Sequence, residues 1–370
     1  MFNDSVMRVA LLLSGGVDSS VALCRLRAEG SDTITAYYLK IWLEDELAHI
    51  GDCPWEDDLS HARAVCEQLD VPLQVISLQQ QYYDRVVSYS LAELRAGRTP
   101  SPDIFCNLRV KFGVFWDRVQ GNCDLIATGH YARIRHQDGS FRLLRAPDPV
   151  KDQTYFLSHL SQQQLARARF PIGDLAKVQV REMAQRWQLP NRDRPDSQGI
   201  CFLGSIRYPE FVRHYLGQQP GEIVERETGR VLGEHQGYWF YTIGQRQGLG
   251  LGNGPWYVVA KDVGRNRIVV SHAQNVTEWL CDSFEVTDLT WIAEPADPAQ
   301  PLQVKLRHGP QLIDAHISAV TADRLAVTLA QPDRGVAAGQ FAVFYSGDYC
   351  LGSGRIAGTA NSGAAHGIAV

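Results

Sequence analysis

A chain of 370 residues with 45% apolar and 21% charged side chains has ordinary globular composition, and its length suits two or three domains with sizeable cores. The net charge of −5 excludes a broadly basic nucleic-acid binder, though not a local basic face. Eight cysteines without a C-x-x-C pair argue against a disulfide framework or a zinc ribbon. With no leader pattern and no apolar run of ~18 residues, the expectation is a soluble cytoplasmic protein without a membrane partner.

The first element is the apolar run Val9, Ala10, Leu11, Leu12, Leu13, which reads as a buried strand entering a tight Gly-Gly turn. Behind it lies SGGVDSS, Ser14 to Ser20. Ser19 or Ser20 is placed to cap a helix carrying Val21, Ala22, Leu23 and Leu26 and ending at Gly30. A strand, a glycine turn and a helix start gather backbone N–H groups and hydroxyls that favour a phosphate. The nucleotide-binding candidates are therefore Leu12, Leu13, Ser14, Gly15, Gly16, Val17, Asp18 and Ser19. Neither G-x-x-x-x-G-K-[ST] nor G-x-G-x-x-G is present, and the loop contains no Lys. Asp18 instead suits a carboxylate holding Mg²⁺ against a pyrophosphate oxygen. The segment resembles the PP-loop ATP pyrophosphatases, whose signature is SGGxDS and whose reaction cleaves ATP between its α- and β-phosphates.

Strand patterns at Ile34 to Leu39, Val75 to Leu78 and Leu125 to Thr128 alternate with helical ones at Leu59 to Leu69, Tyr83 to Ala96 and Leu108 to Val119. This alternation predicts an α/β, doubly wound parallel sheet with ligands at the carboxyl ends of its strands. Ser14 falls at one such end, Gly129 and His130 at another, and Leu39 at the end of the second strand is a candidate for the adenine pocket.

Three further stretches carry chemistry. In GRTPSPDIFCN, Gly97 to Asn107, Arg98 and the prolines mark a functional loop. If Asp103 caps a helix starting near Ile104, Cys106 falls in its first turn, where the dipole lowers a thiol pKa. Lys151, Asp152 and Gln153 form a polar cluster in APDPVKDQTYF. Cys201 follows Gly199 in DSQGICFLG, where a glycine lets another group approach.

In order, these motifs resemble the tRNA-specific 2-thiouridylases, and so do GRVLGEHQG (Gly229 to Gly237), YTIGQRQGLG (Tyr241 to Gly250), WYVVAKD (Trp256 to Asp262) and GQFAVFYSGDYCLGSG (Gly339 to Gly354). The resemblance implies ATP-dependent adenylation of C2–O of the wobble uridine, then sulfur transfer to C2. It implies Cys201 as the persulfide carrier, Cys106 as the thiol that frees the sulfur through a transient disulfide with Cys201, and Asp103 as general acid or base. Ser101, Pro102 and Asp103 would meet the target base, and His130, Lys151, Asp152, Gln153, Arg307, His308 and Gln340 the tRNA. A cysteine desulfurase or a sulfur-relay protein would supply sulfur, with ATP and Mg²⁺ required and DNA not a partner. Two positions depart from the family pattern: Ser101 stands for the usual Asn and Gln198 for the usual Thr.

After Ile206, one helix at Tyr208 to Leu216 gives way to strand patterns: Val224 to Leu232 around a Thr228-Gly229 turn, and Trp256 to Val270 around Gly264 to Asn266. Leu302 to Leu306, Ala315 to Val320, Arg324 to Leu329 and Gln340 to Tyr345 then predict a small barrel. The expected domains are a catalytic one over 1–205, a central β-rich one over 206–280 and a C-terminal β-barrel over 281–370. Arg133, Arg135, Arg142 and Arg145 are candidates for a basic face near the site. Gly352, Gly354 and Ala357 imitate a dinucleotide fingerprint, but no helix pattern follows them. The rival readings are another PP-loop ligase or amidotransferase, which has no use for Cys106 and Cys201, and a non-catalytic RNA-binding protein, which would form no AMP.

Overall fold

The computed structural model describes residues 6–30, 33–41, 55–196, 206–321 and 323–359. Its first sheet has five parallel strands in the spatial order Leu73–Ser77, Thr33–Lys40, Arg8–Leu12, Leu125–Thr128, Ala168–Arg169. Val9, Ala10 and Leu11 are buried because both faces of this central strand are covered. From Arg8–Leu12 the chain first builds outward on one side, then returns to add Leu125–Thr128 on the other. That reversal opens a crevice beyond the carboxyl ends of the two strands. The register Leu12 opposite Thr128 brings the Ser14 loop and Gly129 to the same crevice.

The helix after the loop runs Val17–Glu29, and Gly30 ends it in the left-handed conformation. Its start differs from the expected one. Gly16 is the N-cap, and Ser19 and Ser20 lie inside the first turn, each donating its hydroxyl back to the Gly16 carbonyl at 3.0 Å. The serines satisfy a carbonyl and supply no N-cap bond to the helix.

The central module is a four-stranded sheet in the order Trp256–Asp262, Arg267–His272, Gly221–Glu225, Val231–His235. The C-terminal strands close into a six-stranded barrel, since Cys281–Trp291 pairs with both Arg324–Asp333 and Tyr349–Thr359. Closure removes the exposed edges such a sheet would otherwise present. Gly352 and Gly354 lie within the last barrel strand.

A hairpin, Ala132–Gln137 with Ser140–Arg145, leaves the catalytic domain and joins the barrel, pairing Leu143 with Cys350 and Leu144 with Tyr349. This pairing corrects the expected basic face. Arg133 bridges Asp348 at 2.9 Å, Arg135 donates to the Tyr349 hydroxyl, Arg142 bridges Glu294 and Arg145 reaches Asp152. All four arginines are engaged within the protein, three of them against the barrel and its flank. Deeper in the same joint, Lys305 Nζ meets Asp152 Oδ2 at 2.7 Å with both side chains fully buried.

Candidate active site

Backbone geometry shapes the phosphate loop. Gly15 has φ +77°, and a Cβ there would lie 2.2 Å from the Asp58 carbonyl oxygen, so both conformation and space demand glycine. A Cβ on Gly129 would lie 2.8 Å from the Ser19 nitrogen, which shows how closely the neighbouring strand end approaches the helix start. Ser14 Oγ and Ser19 Oγ are 3.2 Å apart, and Ser14 N–H donates to Ser19 Oγ. Asn191 Nδ2 donates to the Gly15 carbonyl at 2.7 Å and to Ser20 Oγ at 2.9 Å, while Arg194 ties the same carbonyl to the helix carrying Asp57 and Asp58. The loop is thus braced from outside, with Ser14 exposed at its mouth.

Asp18 points into a charged cluster. Its Oδ1 accepts from the Tyr131 hydroxyl at 2.8 Å and from Lys177 Nζ at 2.7 Å. Lys177 also reaches Asp196 Oδ1 at 2.7 Å, and Lys151 Nζ takes Asp196 Oδ2 at 2.7 Å. Burial alone would raise the Asp196 carboxyl, but the ammonium groups of Lys151 and Lys177 outweigh it and hold the group well below the usual carboxylate range. Burial, reinforced by the Asp18 carboxylate, keeps the Tyr131 phenol protonated far above its ordinary value.

The second half of the site lies on a helical stretch over 102–119. It starts at Pro102, with Ser101 as N-cap and no side-chain cap bond, and its middle, Cys106–Val114, winds as a π-helix. Pro at the first helical position is the favoured start, so Asp103 sits in the first turn and is not the cap. Cys106 falls just beyond that turn, out of the dipole's strongest reach, and is 2% exposed. The expected thiol activation by the helix start is therefore weaker than the spacing suggested. Wide π turns are uncommon and cluster at functional sites.

Burial raises the Asp103 carboxyl above its ordinary value, with Lys111 pulling the other way. A carboxyl that keeps its proton to higher pH suits a general acid. Because the folded value exceeds the unfolded one, the native state loses stability as pH rises from roughly 4 through the folded value. Asp103→Asn is accordingly expected to melt at a higher temperature than wild type at pH 7, with the gap closing below about pH 4. Thermal unfolding at the two pH values checks this, and an Asn variant less stable at pH 7 would contradict it.

The remaining expected site residues lie on separate elements. Asn107 Nδ2 donates to the Phe156 carbonyl, and the Phe156 ring stacks on His308 at 4.7 Å. Arg307 makes a bidentate pair with Asp333, which leaves its guanidinium half exposed. The turn carrying Gln340 presses on the catalytic loop, since a Cβ on Gly339 would lie 2.7 Å from the Thr99 carbonyl. Gln153 Oε1 accepts from Tyr131 N–H, and Leu39 is half-buried at its strand end. Two residues face inward. His130 is 9% exposed, held neutral by burial, with Nδ1 2.6 Å from Thr128 Oγ1. Asp152 is fully buried in its pair with Lys305, and its other oxygen accepts from Thr154. Cys201 and Gln198 lie outside the described residues, and so does the pairing of Cys201 with Cys106.

Sequence reading missed Tyr131, Lys177, Asn191, Arg194 and Asp196, the residues that brace Asp18 and the loop. Asp196 opens the DSQGICFLG stretch but is not singled out there, and no motif marks the other four, because each reaches its partner across the fold.

Family models for a "tRNA methyl transferase HUP domain" match residues 7–205, for a "tRNA methyl transferase PRC-barrel domain" residues 209–272, and for an "Aminomethyltransferase beta-barrel domain" residues 281–356. Among curated proteins, the chain is 43% identical to a tRNA-specific 2-thiouridylase MnmA of Parabacteroides distasonis, covering 95% of this chain and 99% of the relative. It is 42% identical to MnmA 1 of Bacteroides thetaiotaomicron and 43% identical to MnmA of Porphyromonas gingivalis, again over 95% and 99% of the two chains.

Proposed function

Because the chain belongs to the tRNA-specific 2-thiouridylase family, we propose that it is the enzyme that converts the wobble uridine of tRNA to 2-thiouridine, consuming ATP. The observation that carries this reading is the glycine-built phosphate loop at the sheet's switch point, within a chain similar to those relatives along 95% of its length. The reading divides the chain into a catalytic domain over 1–205, a central domain over 206–280 and a barrel over 281–370.

In the proposed reaction the uridine C2 oxygen attacks the α-phosphorus of ATP, and pyrophosphate departs. The loop N–H groups from Gly15 to Ser19 would meet that charge as it develops. Mg²⁺, when bound, would offset phosphate charge. Asp18 is its candidate ligand, since Oδ2 accepts no hydrogen bond among the described residues while Oδ1 accepts two. A single carboxylate beside phosphate oxygens suits Mg²⁺, and among the described residues no group of three acidic, His or Cys side chains forms a cage.

Asp103 then moves a proton at the base ring. The terminal sulfur of a Cys201 persulfide attacks C2, Cys106 attacks Cys201 Sγ, and the new disulfide leaves sulfur on C2 as AMP departs. A desulfurase or relay protein recharges Cys201 after reduction of the disulfide. Ser101, Pro102, Lys151, Gln153, Arg307, His308 and Gln340 are the proposed tRNA contacts. His130 and Asp152, both buried, act from behind them. No described helix is long and apolar enough to cross a membrane. The test is nucleoside mass spectrometry on tRNA from a bacterial strain lacking its own 2-thiouridylase, with and without this chain.

A further inference from the structure

A loop that releases pyrophosphate contains no cation of its own, in contrast to the G-x-x-x-x-G-K-[ST] loop, whose Lys reaches the terminal phosphates. The fold brings a cation to this loop from 159 residues away. Lys177 opens the helix Lys177–Arg186, and its ammonium sits 2.7 Å from Asp18 Oδ1 with only 15% of the side chain exposed. The stem runs beside the Tyr131 ring, with Nζ 6.0 Å from its centroid. An ammonium has three N–H donors, and the Asp18 and Asp196 carboxylates occupy two. Asp196 does not need Lys177 for neutralisation, because Lys151 and Arg181 also pair with it. With Asp148, which accepts from the Lys151 and Lys177 backbone N–H groups, three carboxylates face three cations, and what an ordinary ion pair leaves unexplained is the placement of Lys177 at the rim of a phosphate loop.

We propose that Lys177 is the phosphate-contacting cation of this site, holding the β- and γ-phosphate oxygens of ATP and the pyrophosphate that leaves. The assignment rests on the adenylating reading above and adds a residue to it. As the bond between the α-phosphorus and its bridging oxygen breaks, the electron pair goes to the pyrophosphate. Lys177 stays protonated throughout and supplies charge alone. Lys151, one carboxylate further out, holds Asp196 and so keeps Lys177 turned toward the loop.

The test uses the full-length chain with Mg²⁺, and reads the affinities of inorganic pyrophosphate and AMP as inhibitors of tRNA-dependent AMP formation, together with direct binding by calorimetry. Lys177→Ala is expected to weaken pyrophosphate by about 10- to 100-fold, the scale of one charge-assisted hydrogen bond. AMP binding should stay within about twofold, since AMP lacks the phosphates Lys177 would meet. Lys177→Arg should recover part of the pyrophosphate affinity. Lys177→Gln, which keeps the stem beside Tyr131, serves if the Ala variant does not fold.

Equal weakening of pyrophosphate and AMP, or none of either, would overturn the assignment. The two levels of failure separate cleanly. A wild-type chain that forms no AMP with tRNA present defeats the adenylating reading and Lys177 with it. A wild type that forms AMP beside a variant of unchanged pyrophosphate affinity defeats Lys177 only.

Discussion

Replacing Cys106 by Ser is expected to lower 2-thiouridine formation by about three orders of magnitude or more, the scale seen when a reacting nucleophile is removed. The burst of pyrophosphate in a single turnover with tRNA should stay within about threefold of wild type, because adenylation precedes the thiol's step. The split matters more than the loss. Cys106 is buried among Ile104, Phe105 and Val110, so a variant that merely disturbed packing would lower both readouts together. Cys106→Ala, which adds no polar atom to that core, should behave as the Ser variant does. Rapid-quench measurement of pyrophosphate beside 2-thiouridine decides the matter. Parallel loss of both would return Cys106 to a packing role, and intact thiolation would remove it from the reaction.

Lys305→Met is expected to cost about 3–5 kcal/mol, because it leaves the Asp152 carboxylate buried without its ammonium partner. Both side chains of the pair are fully buried. Arg145 is the only other cation on Asp152 among the described residues, and it reaches the carboxylate at 3.4 Å. Pairing Asp152→Asn with Lys305→Met should restore most of the loss, since removing both charges removes the desolvation cost along with the attraction. The shift in denaturation midpoint measures each variant, and equal midpoints for the single and double variants would contradict it. The pair also bears on the site. Asp152 lies between Lys151, which holds Asp196, and Gln153, which accepts from Tyr131 N–H. Loosening the joint should therefore raise the ATP concentration needed for half-maximal activity.

What was legible in the sequence was local. Strand, glycine turn and helix adjoin in SGGVDSS, so the phosphate loop and its position at a strand end could be read from spacing alone. Four of the six barrel strands and Tyr208–Leu216 were legible for the same reason, whereas the closing strands Cys281–Trp291 and Tyr349–Thr359 were not. The start of the Pro102 helix was misread although its signal was present, because Asp103 is a good cap residue in isolation and Pro102 at the first helical position outranks it. The hairpin over 132–145 carried a signal as well. Asp138 and Gly139 both adopt positive φ, the turn for which Asp-Gly is favoured between paired strands. The arginines flanking that turn suggested a free basic face because their acidic partners come as far as 215 residues later. Lys177 on Asp18, Asn191 on Gly15 and Lys305 on Asp152 span 159, 176 and 153 residues. Such contacts are set by tertiary packing, and no local pattern encodes them.

The most direct test of thiolation itself is the nucleoside composition of tRNA, read by mass spectrometry, in a strain whose own 2-thiouridylase is deleted. Supplying the wild-type chain should restore 2-thiouridine at the wobble position, and supplying Cys201→Ser should leave it undetectable. Wobble uridine that stays unthiolated with the wild-type chain expressed and folded, or 2-thiouridine restored equally by the Ser variant, would contradict sulfur transfer through this site.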